Sequence, residues 1–257
     1  MRIMFVCTGN ICRSPMGELL MSHYLTGTTV QVSSAGTRGL PMHPIDPSSG
    51  RLMDSVGIES SGFHSRRLTR QMADDADLIL CFEKQQRKDI VTLAPAAVRY
   101  TFLLNDFANM CDYCAQHSMV TGTTIQERLE SVIRRSSMIR PMIPLPKDID
   151  DPHGREFDQF CIAANQTNEA IRRILKSMRK HHDVSLSAVR SQIVAQLLGE
   201  PAFNSVALLG KTSADFIYEF FSVFENGAIA LVESTDFLQA INCCCHEGNG
   251  HNLAERL

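Results

Sequence analysis

The chain opens on an apolar run, Ile3-Met4-Phe5-Val6-Cys7, and passes at once into a small polar loop. Five apolar residues without alternation predict a strand buried on both faces, Arg2 to Cys7. Ser14 then reads as a helix N-cap and Pro15 as the first helical position, so a helix is expected to about Leu25. Val30 to Ala35 reads as a second strand. The turn residues Gly36 to Pro47 follow, then a helix through Leu52 and Val56. Leu78 to Phe82 is a third strand with a helix starting at Glu83, and Val98 to Phe102 a short fourth strand. Strands alternating with helices predict an α/β fold, a parallel sheet covered on both faces. Between Asn105 and Lys147 only Glu127 to Arg140 looks helical, and the rest reads as an inserted loop. A last helix is expected from Phe157 to Lys180, with Phe160, Ile162, Ile171, Ile174 and Leu175 toward the core.

Composition narrows the class. The 257 residues, 44% hydrophobic and 21% charged, allow one full domain and part of a second at roughly 150 residues each. The basic run Lys176 to His182 marks the expected boundary, dividing a domain over 1–182 from a C-terminal extension over 183–257. A net charge of −3 offers no argument for a nucleic-acid partner. The nine cysteines are odd in number and irregular in spacing, unlike a secreted disulfide framework. The N-terminal apolar run is too short for a signal peptide, and no stretch approaches the roughly 18 residues that span a bilayer. The expectation is a cytoplasmic chain with mostly reduced thiols and no membrane partner.

The first loop carries the chemistry. Cys7-Thr8-Gly9-Asn10-Ile11-Cys12-Arg13-Ser14 starts at the C-terminal end of a strand, where open α/β sheets bind ligands. It ends at a helix N-terminus, where N–H groups and the macrodipole favour an anion. Wrapped in this way, Thr8, Gly9, Asn10, Ile11 and Cys12 present a nest of backbone donors to phosphate oxygens, with Gly9 allowing close approach. The same donors stabilise a thiolate, so Cys7 is the candidate nucleophile for a cysteinyl-phosphate. Arg13 offers a planar fork to two equatorial phosphoryl oxygens, and Ser14 can donate to the thiolate. A leaving alkoxide or phenoxide needs a proton, and Asp148-Ile149-Asp150-Asp151-Pro152-His153-Gly154 supplies candidates. Pro152 holds Asp151 extended, and the negative neighbours Asp148 and Asp150 help keep it protonated. This chemistry calls for no cofactor and no metal.

These residues resemble the low-molecular-weight protein tyrosine phosphatase family. Val6-Cys7-Thr8-Gly9-Asn10-Ile11-Cys12-Arg13-Ser14-Pro15-Met16 is similar to its signature loop and Asp151-Pro152 to its acid motif. Ser33-Ser34-Ala35-Gly36-Thr37, His64-Ser65-Arg66-Arg67-Leu68 and Ala76-Asp77-Leu78-Ile79-Leu80 are similar to its middle section. The resemblance covers about residues 1–180, with an insertion before the Asp-Pro loop. It implies a three-layer α/β/α fold on a four-stranded parallel sheet. It implies phosphotyrosine hydrolysis with Cys7 as nucleophile, Arg13 as phosphate binder and Asp151 as acid and then base. Asn10, Ser14 and His64 would hold the loop's shape, and Cys81 would be structural. Two positions depart from the pattern. Gly36-Thr37-Arg38-Gly39-Leu40 lacks the family's usual aromatic residue, and His153 stands where another aromatic is usual. Phosphoarginine phosphatases of the family carry Thr at the fifth loop position; Ile11 favours an aryl phosphate.

Other readings stay open. Arsenate reductases share the fold but need two further relay cysteines, for which Cys111 and Cys114 are the candidates. A different class altogether is a phosphate-recognising binding module whose main function lies in the tail. Cys12, beside Cys7, could capture an oxidised Cys7 as a disulfide. Cys111-Asp112-Tyr113-Cys114-Ala115-Gln116-His117 has zinc-like spacing but lacks a fourth ligand unless Cys243-Cys244-Cys245-His246 folds back. Gly210-Lys211-Thr212 is no nucleotide loop, because Ser205 stands where that motif needs Gly. Residues 206–230 weakly resemble an early stretch of acyl-CoA-synthetase-like adenylating enzymes, without their adenylate motifs. The apolar run Phe216 to Val223 makes self-association through the tail an expectation.

Overall fold

Four parallel strands build the sheet: β1 (Arg2–Cys7), β2 (Gln31–Gly36), β3 (Leu78–Cys81) and β4 (Thr101–Leu103), in the order β2-β1-β3-β4. The computed structural model describes residues 1–179. The expected boundary at 182, the tail resemblance and the tail cysteines lie outside them. From β1 the chain goes to one side to form β2, then returns to the other side to form β3. The β1/β3 gap is therefore the switch point, whose C-terminal edge opens a crevice for ligands.

Both faces of β1 are covered, as its unbroken apolar run requires. Met4 and Val6 point to one face with Ile79 and Cys81, against Leu68, Ala73, Ile90, Ala94 and Ala97. These last come from α3 (Arg70–Asp74), α4 (Lys84–Leu93) and their flanks. Phe5 points to the other face, where α1 (Arg13–Tyr24) crosses the strand at Gly17. A Cβ on Gly17 would come within 2.5 Å of the Phe5 ring, so only glycine lets the helix sit this low. Behind α1 pack α2 (Pro47–Ser55) and α7 (Phe157–Ser177), and α5 (Leu104–Gln116) packs on α7. The three-layer α/β/α arrangement follows.

Several expected elements shift. Val98 falls in a 3₁₀ turn over Pro95–Arg99, and β4 begins only at Thr101. Pro95 presets the backbone angle at the start of that turn. The stretch read as an inserted loop holds α5 as well as α6 (Ile125–Ile139). Leu104, Phe107, Ala108, Cys111 and Cys114 form a buried helical stripe on α5. Thr124 and Glu127 close a capping box at the start of α6. Ile162 is 48% exposed, because the buried face of α7 runs through Phe160, Ala163, Ala164, Thr167 and Ile171. No helix among the described residues is long and apolar enough to cross a membrane.

Candidate active site

Cys7 ends β1 at the open edge of the sheet, paired with Gly36 of β2. The loop from Thr8 to Cys12 turns back over the strand end and enters α1 at Arg13. Asn10 makes that turn in the left-handed region, φ 57°, which asparagine tolerates better than most residues. Its side chain is fully buried and ties the loop on three sides. Nδ2 donates to Ser14 Oγ at 2.9 Å and Ser34 Oγ at 2.8 Å, and Oδ1 accepts from Arg66 N at 2.7 Å. Gly36 lies directly beneath, where a Cβ would strike Thr8 O at 2.7 Å. The steric demand for glycine thus falls on Gly36. A Cβ on Gly9 would meet the Ile11 side chain at an ordinary 3.4 Å.

Donors converge on the sulfur. Asn10 N donates to Cys7 Sγ at 3.2 Å, and Ser14 Oγ lies 3.0 Å from it. Ser14 falls inside the first turn of α1 rather than at its N-cap, so its hydroxyl is not spent on capping. It accepts from Asn10, and its own proton has Cys7 Sγ closer than Ala35 O, which is 3.4 Å away. Among the described residues none accepts from the N–H groups of Gly9 or Ile11, leaving donors at the mouth of the loop.

Arg13 is the largest fully buried side chain, 1% exposed, with its guanidinium 5.7 Å from the centre of the Phe82 ring. Nη1 donates to Ile149 O at 2.7 Å and pairs with Glu83, and Nη2 pairs with Asp151 Oδ2 at 2.8 Å. Nε is buried and has no hydrogen-bond partner among the described residues. Glu83 is itself held by Gln86, whose Nε2 reaches both Glu83 Oε1 and Thr8 Oγ1. Sequence reasoning gave Glu83 no role beyond starting a helix; its convergence on Arg13 spans 70 residues and has no local signature.

The Asp-Pro segment comes to the same mouth. Its Ile149 N donates to Phe82 O at 2.9 Å, which docks it on the end of β3. Asp151 rather than Asp150 meets Arg13, and Asp150 with Asp148 lines an adjoining cavity of about 600 Å³ bounded by Lys84, Lys147 and Arg173. His64 is not brought to the loop. It is exposed, with Nδ1 3.1 Å from Gly62 O, and the expected support comes from the neighbouring backbone at Arg66. Cys111 and Cys114 lie in the core on α5, where burial pushes both thiols up. Their zinc-like spacing is a single turn of one helix packing inward, with His117 stacked on Tyr113.

Beneath the loop lies a carboxyl that the sequence did not single out. Glu18 Oε2 accepts from Ser34 Oγ at 2.5 Å, extending the chain Cys7–Ser14–Asn10–Ser34. Burial raises the Glu18 carboxyl above its ordinary value, and the Ser34 hydroxyl and the Arg66 charge draw it partly back. A carboxyl raised in the folded state favours folding fully below its unfolded value and loses that contribution as pH rises through the folded one. Glu18→Gln, which keeps the acceptor, is therefore expected to lose less stability than the parent as pH rises above the ordinary glutamate value of about 4.3. Urea unfolding of both proteins across that range checks it. Parallel stability profiles would contradict the assignment.

Comparison with known proteins accords with this geometry. Residues 2–120 match the family model described as low molecular weight phosphotyrosine protein phosphatase. The low molecular weight protein-tyrosine-phosphatase Etp of Escherichia coli K12 is 40% identical over 105 residues, 41% of this chain and 70% of that one. Among solved structures, the tyrosine phosphatase Wzb of Escherichia coli K30 in complex with sulphate superposes with a TM-score of 0.51 and 25% identity. That superposition covers 69% of this chain and 98% of Wzb. The YwlE arginine phosphatase of Geobacillus stearothermophilus superposes with a TM-score of 0.52 at 26% identity, over 71% of this chain and 99% of that one.

Proposed function

The chain belongs to the low-molecular-weight protein-tyrosine-phosphatase family, and we propose that it hydrolyses phosphotyrosine in proteins through a cysteinyl-phosphate on Cys7. The observation that carries this is Arg13. A guanidinium buried to 1% exposure leaves one donor, Nε, without a partner among the described residues, at the loop that holds the Cys7 sulfur. A buried N–H without a partner costs about 1–3 kcal/mol. A phosphoryl oxygen supplies the missing acceptor.

In this reading the backbone donors of Thr8 to Cys12 hold the phosphoryl oxygens. Cys7 Sγ attacks phosphorus and the ester C–O–P oxygen departs, taking a proton from Asp151. Ser14 and the Asn10 N–H stabilise the thiolate before attack and as it leaves. Asp151 then removes a proton from water, which attacks the cysteinyl-phosphate and releases inorganic phosphate and the Cys7 thiolate. Arg13 follows the equatorial oxygens as they spread in each transition state. No group in the cycle comes from beyond residue 151, which supports residues 1–182 as the catalytic domain. The mechanism needs Cys7 as a free thiol, which it is, and a reducing compartment such as the cytoplasm would keep it so.

The aryl preference rests on the pocket wall. Ile11 gives the loop an apolar side chain, and Leu40 and Met42 stand 59% and 70% exposed on the strand-two loop. They offer an aromatic ring apolar contact in place of the aromatic residue missing from that loop. The likeness to an arginine phosphatase makes phosphoarginine the second reading. The test is turnover of p-nitrophenyl phosphate at mildly acidic pH, followed by phosphotyrosine, phosphoserine and phosphoarginine peptides. The expected order puts phosphotyrosine first by at least about tenfold in kcat/KM, a difference of 1.4 kcal/mol in transition-state binding. Binding of phosphate without any turnover would replace the enzyme by a recognition module.

A further inference from the structure

Three segments far apart in the chain meet beside the nucleophile loop. Cys12 comes from the loop itself, Asp46 from the start of α2, and His153 from the Asp-Pro segment. Their ligand atoms all lie within 4.8 Å of one another. Cys12 Sγ and His153 Nδ1 are 3.9 Å apart, and Nδ1 and Asp46 Oδ2 are 3.6 Å apart. We infer that Cys12, Asp46 and His153 form a binding site for a zinc-like divalent transition ion, which fastens the Asp151 segment to the nucleophile loop and stops turnover.

The spacing fits the ion. Zinc bonds of about 2.0–2.3 Å place tetrahedral ligand atoms roughly 3.3–3.8 Å apart. Two of the three separations are already at or close to that range, and the exposed His153 side chain can close the rest by a small rotation. The donor set also selects: one thiolate, one imidazole and one carboxylate suit zinc, cobalt(II) or copper(II) and disfavour magnesium or calcium. A fourth position stays open for water or a phosphate oxygen.

The surroundings orient the ligands. Asp46 Oδ1 accepts from Ser48 N at 2.9 Å as the cap of α2, which turns Oδ2 toward His153. Asp46 N donates to Ile11 O at 2.8 Å, so the capping residue is tied to the nucleophile loop. His153 N reaches Asp151 Oδ1 at 3.3 Å, so an ion on His153 holds the adjacent acid. Burial and the Asp46 charge keep Cys12 a thiol in the metal-free protein. On binding, the ion replaces that proton, which passes to solvent, and no electrons are exchanged. Binding therefore tightens as pH rises. The Asp46–Nδ1 approach alone could be an ordinary ion pair, but an ion pair needs no thiol beside it.

The binding site does not depend on the catalytic reading, because the test reads metal directly; the effect on turnover rests on that reading. Cobalt(II) is titrated into the reduced full-length chain and followed by dialysis stoichiometry and by the thiolate-to-cobalt charge-transfer band. Cys12→Ser and His153→Ala are each expected to lose one equivalent of cobalt, or to bind it at least about tenfold more weakly. Cys7→Ser is expected to keep it. Whatever Cys243, Cys244 and Cys245 bind is common to all four proteins and cancels in the comparison. Zinc is expected to inhibit p-nitrophenyl phosphate turnover, with at least about tenfold more zinc needed for His153→Ala. Vanadate binding reports that each variant is folded. Loss of the equivalent in Cys7→Ser would place the ion on the nucleophile instead. Equal stoichiometry, affinity and charge-transfer band in His153→Ala and the parent would leave only an ion pair. Either result overturns the site.

Discussion

Cys7→Ser is expected to abolish turnover while phosphate and vanadate still bind. The two results separate because two sets of atoms are involved. Binding uses the donors of the loop and the Arg13 guanidinium, whose position is fixed by Ile149 O, Glu83 and the Phe82 ring. Apart from Asn10 N, none of these hydrogen-bonds the Cys7 sulfur among the described residues. Chemistry uses the sulfur itself, activated by Asn10 N at 3.2 Å and Ser14 Oγ at 3.0 Å. A serine hydroxyl fits the same space but stays protonated and is a far weaker nucleophile. The expected loss is at least about a thousandfold in kcat, equivalent to about 4 kcal/mol of barrier. Vanadate affinity should change by less than about tenfold. The measurement is steady-state turnover of p-nitrophenyl phosphate beside vanadate titration of the same preparation. Residual turnover within tenfold of the parent would end the covalent mechanism, and lost vanadate binding would mean the sulfur shapes the loop.

The loop could be read from the sequence because its chemistry is local. Eight consecutive residues carry the strand end, the turn, the cysteine and the arginine. Even there the reading slipped where packing decides. Ser14 reads as a cap with Pro15 opening the helix, yet α1 starts two residues earlier, at Arg13, and the hydroxyl faces Cys7. Helix α5 was hidden because Asn105, Asp106, Asn109 and Asp112 have low helix propensity, although its apolar positions keep the helical period. Tertiary contacts outweigh that propensity: Asp106 pairs with Arg140, and Asp112 with Arg173. Glu83, Glu18 and Asp46 had no signature of their own. Each becomes part of the site through a partner distant in sequence, and no single-sequence period encodes such a meeting. The resemblance placed a helper at His64, but the bond to Asn10 comes from a backbone N–H two residues on, where any non-proline residue would serve.

Asp151→Ala is expected to slow hydrolysis of an aryl phosphate by roughly a hundredfold or more, the range of a lost general acid. The geometry adds a second, opposite expectation for binding. Asp151 Oδ2 pairs with Arg13 Nη2 at 2.8 Å, and a phosphoryl oxygen held by Arg13 would compete for that group. Asp151 is half-exposed and precedes a turn opened by Pro152, so its side chain can swing away as the anion arrives. Removing the side chain removes the acid and also removes a competitor for Arg13. Inorganic phosphate should therefore inhibit Asp151→Ala as well as or better than the parent, while kcat falls. The fall should shrink as the leaving group improves, because a weakly basic phenoxide departs without help. Asp150→Ala should leave kcat within about threefold, since its side chain faces the neighbouring cavity. Steady-state kinetics with aryl phosphates of graded leaving-group basicity test all of this in one series. A larger loss in Asp150→Ala would move the acid by one residue. A loss that did not depend on the leaving group would mean that Asp151 positions Arg13 and gives up no proton.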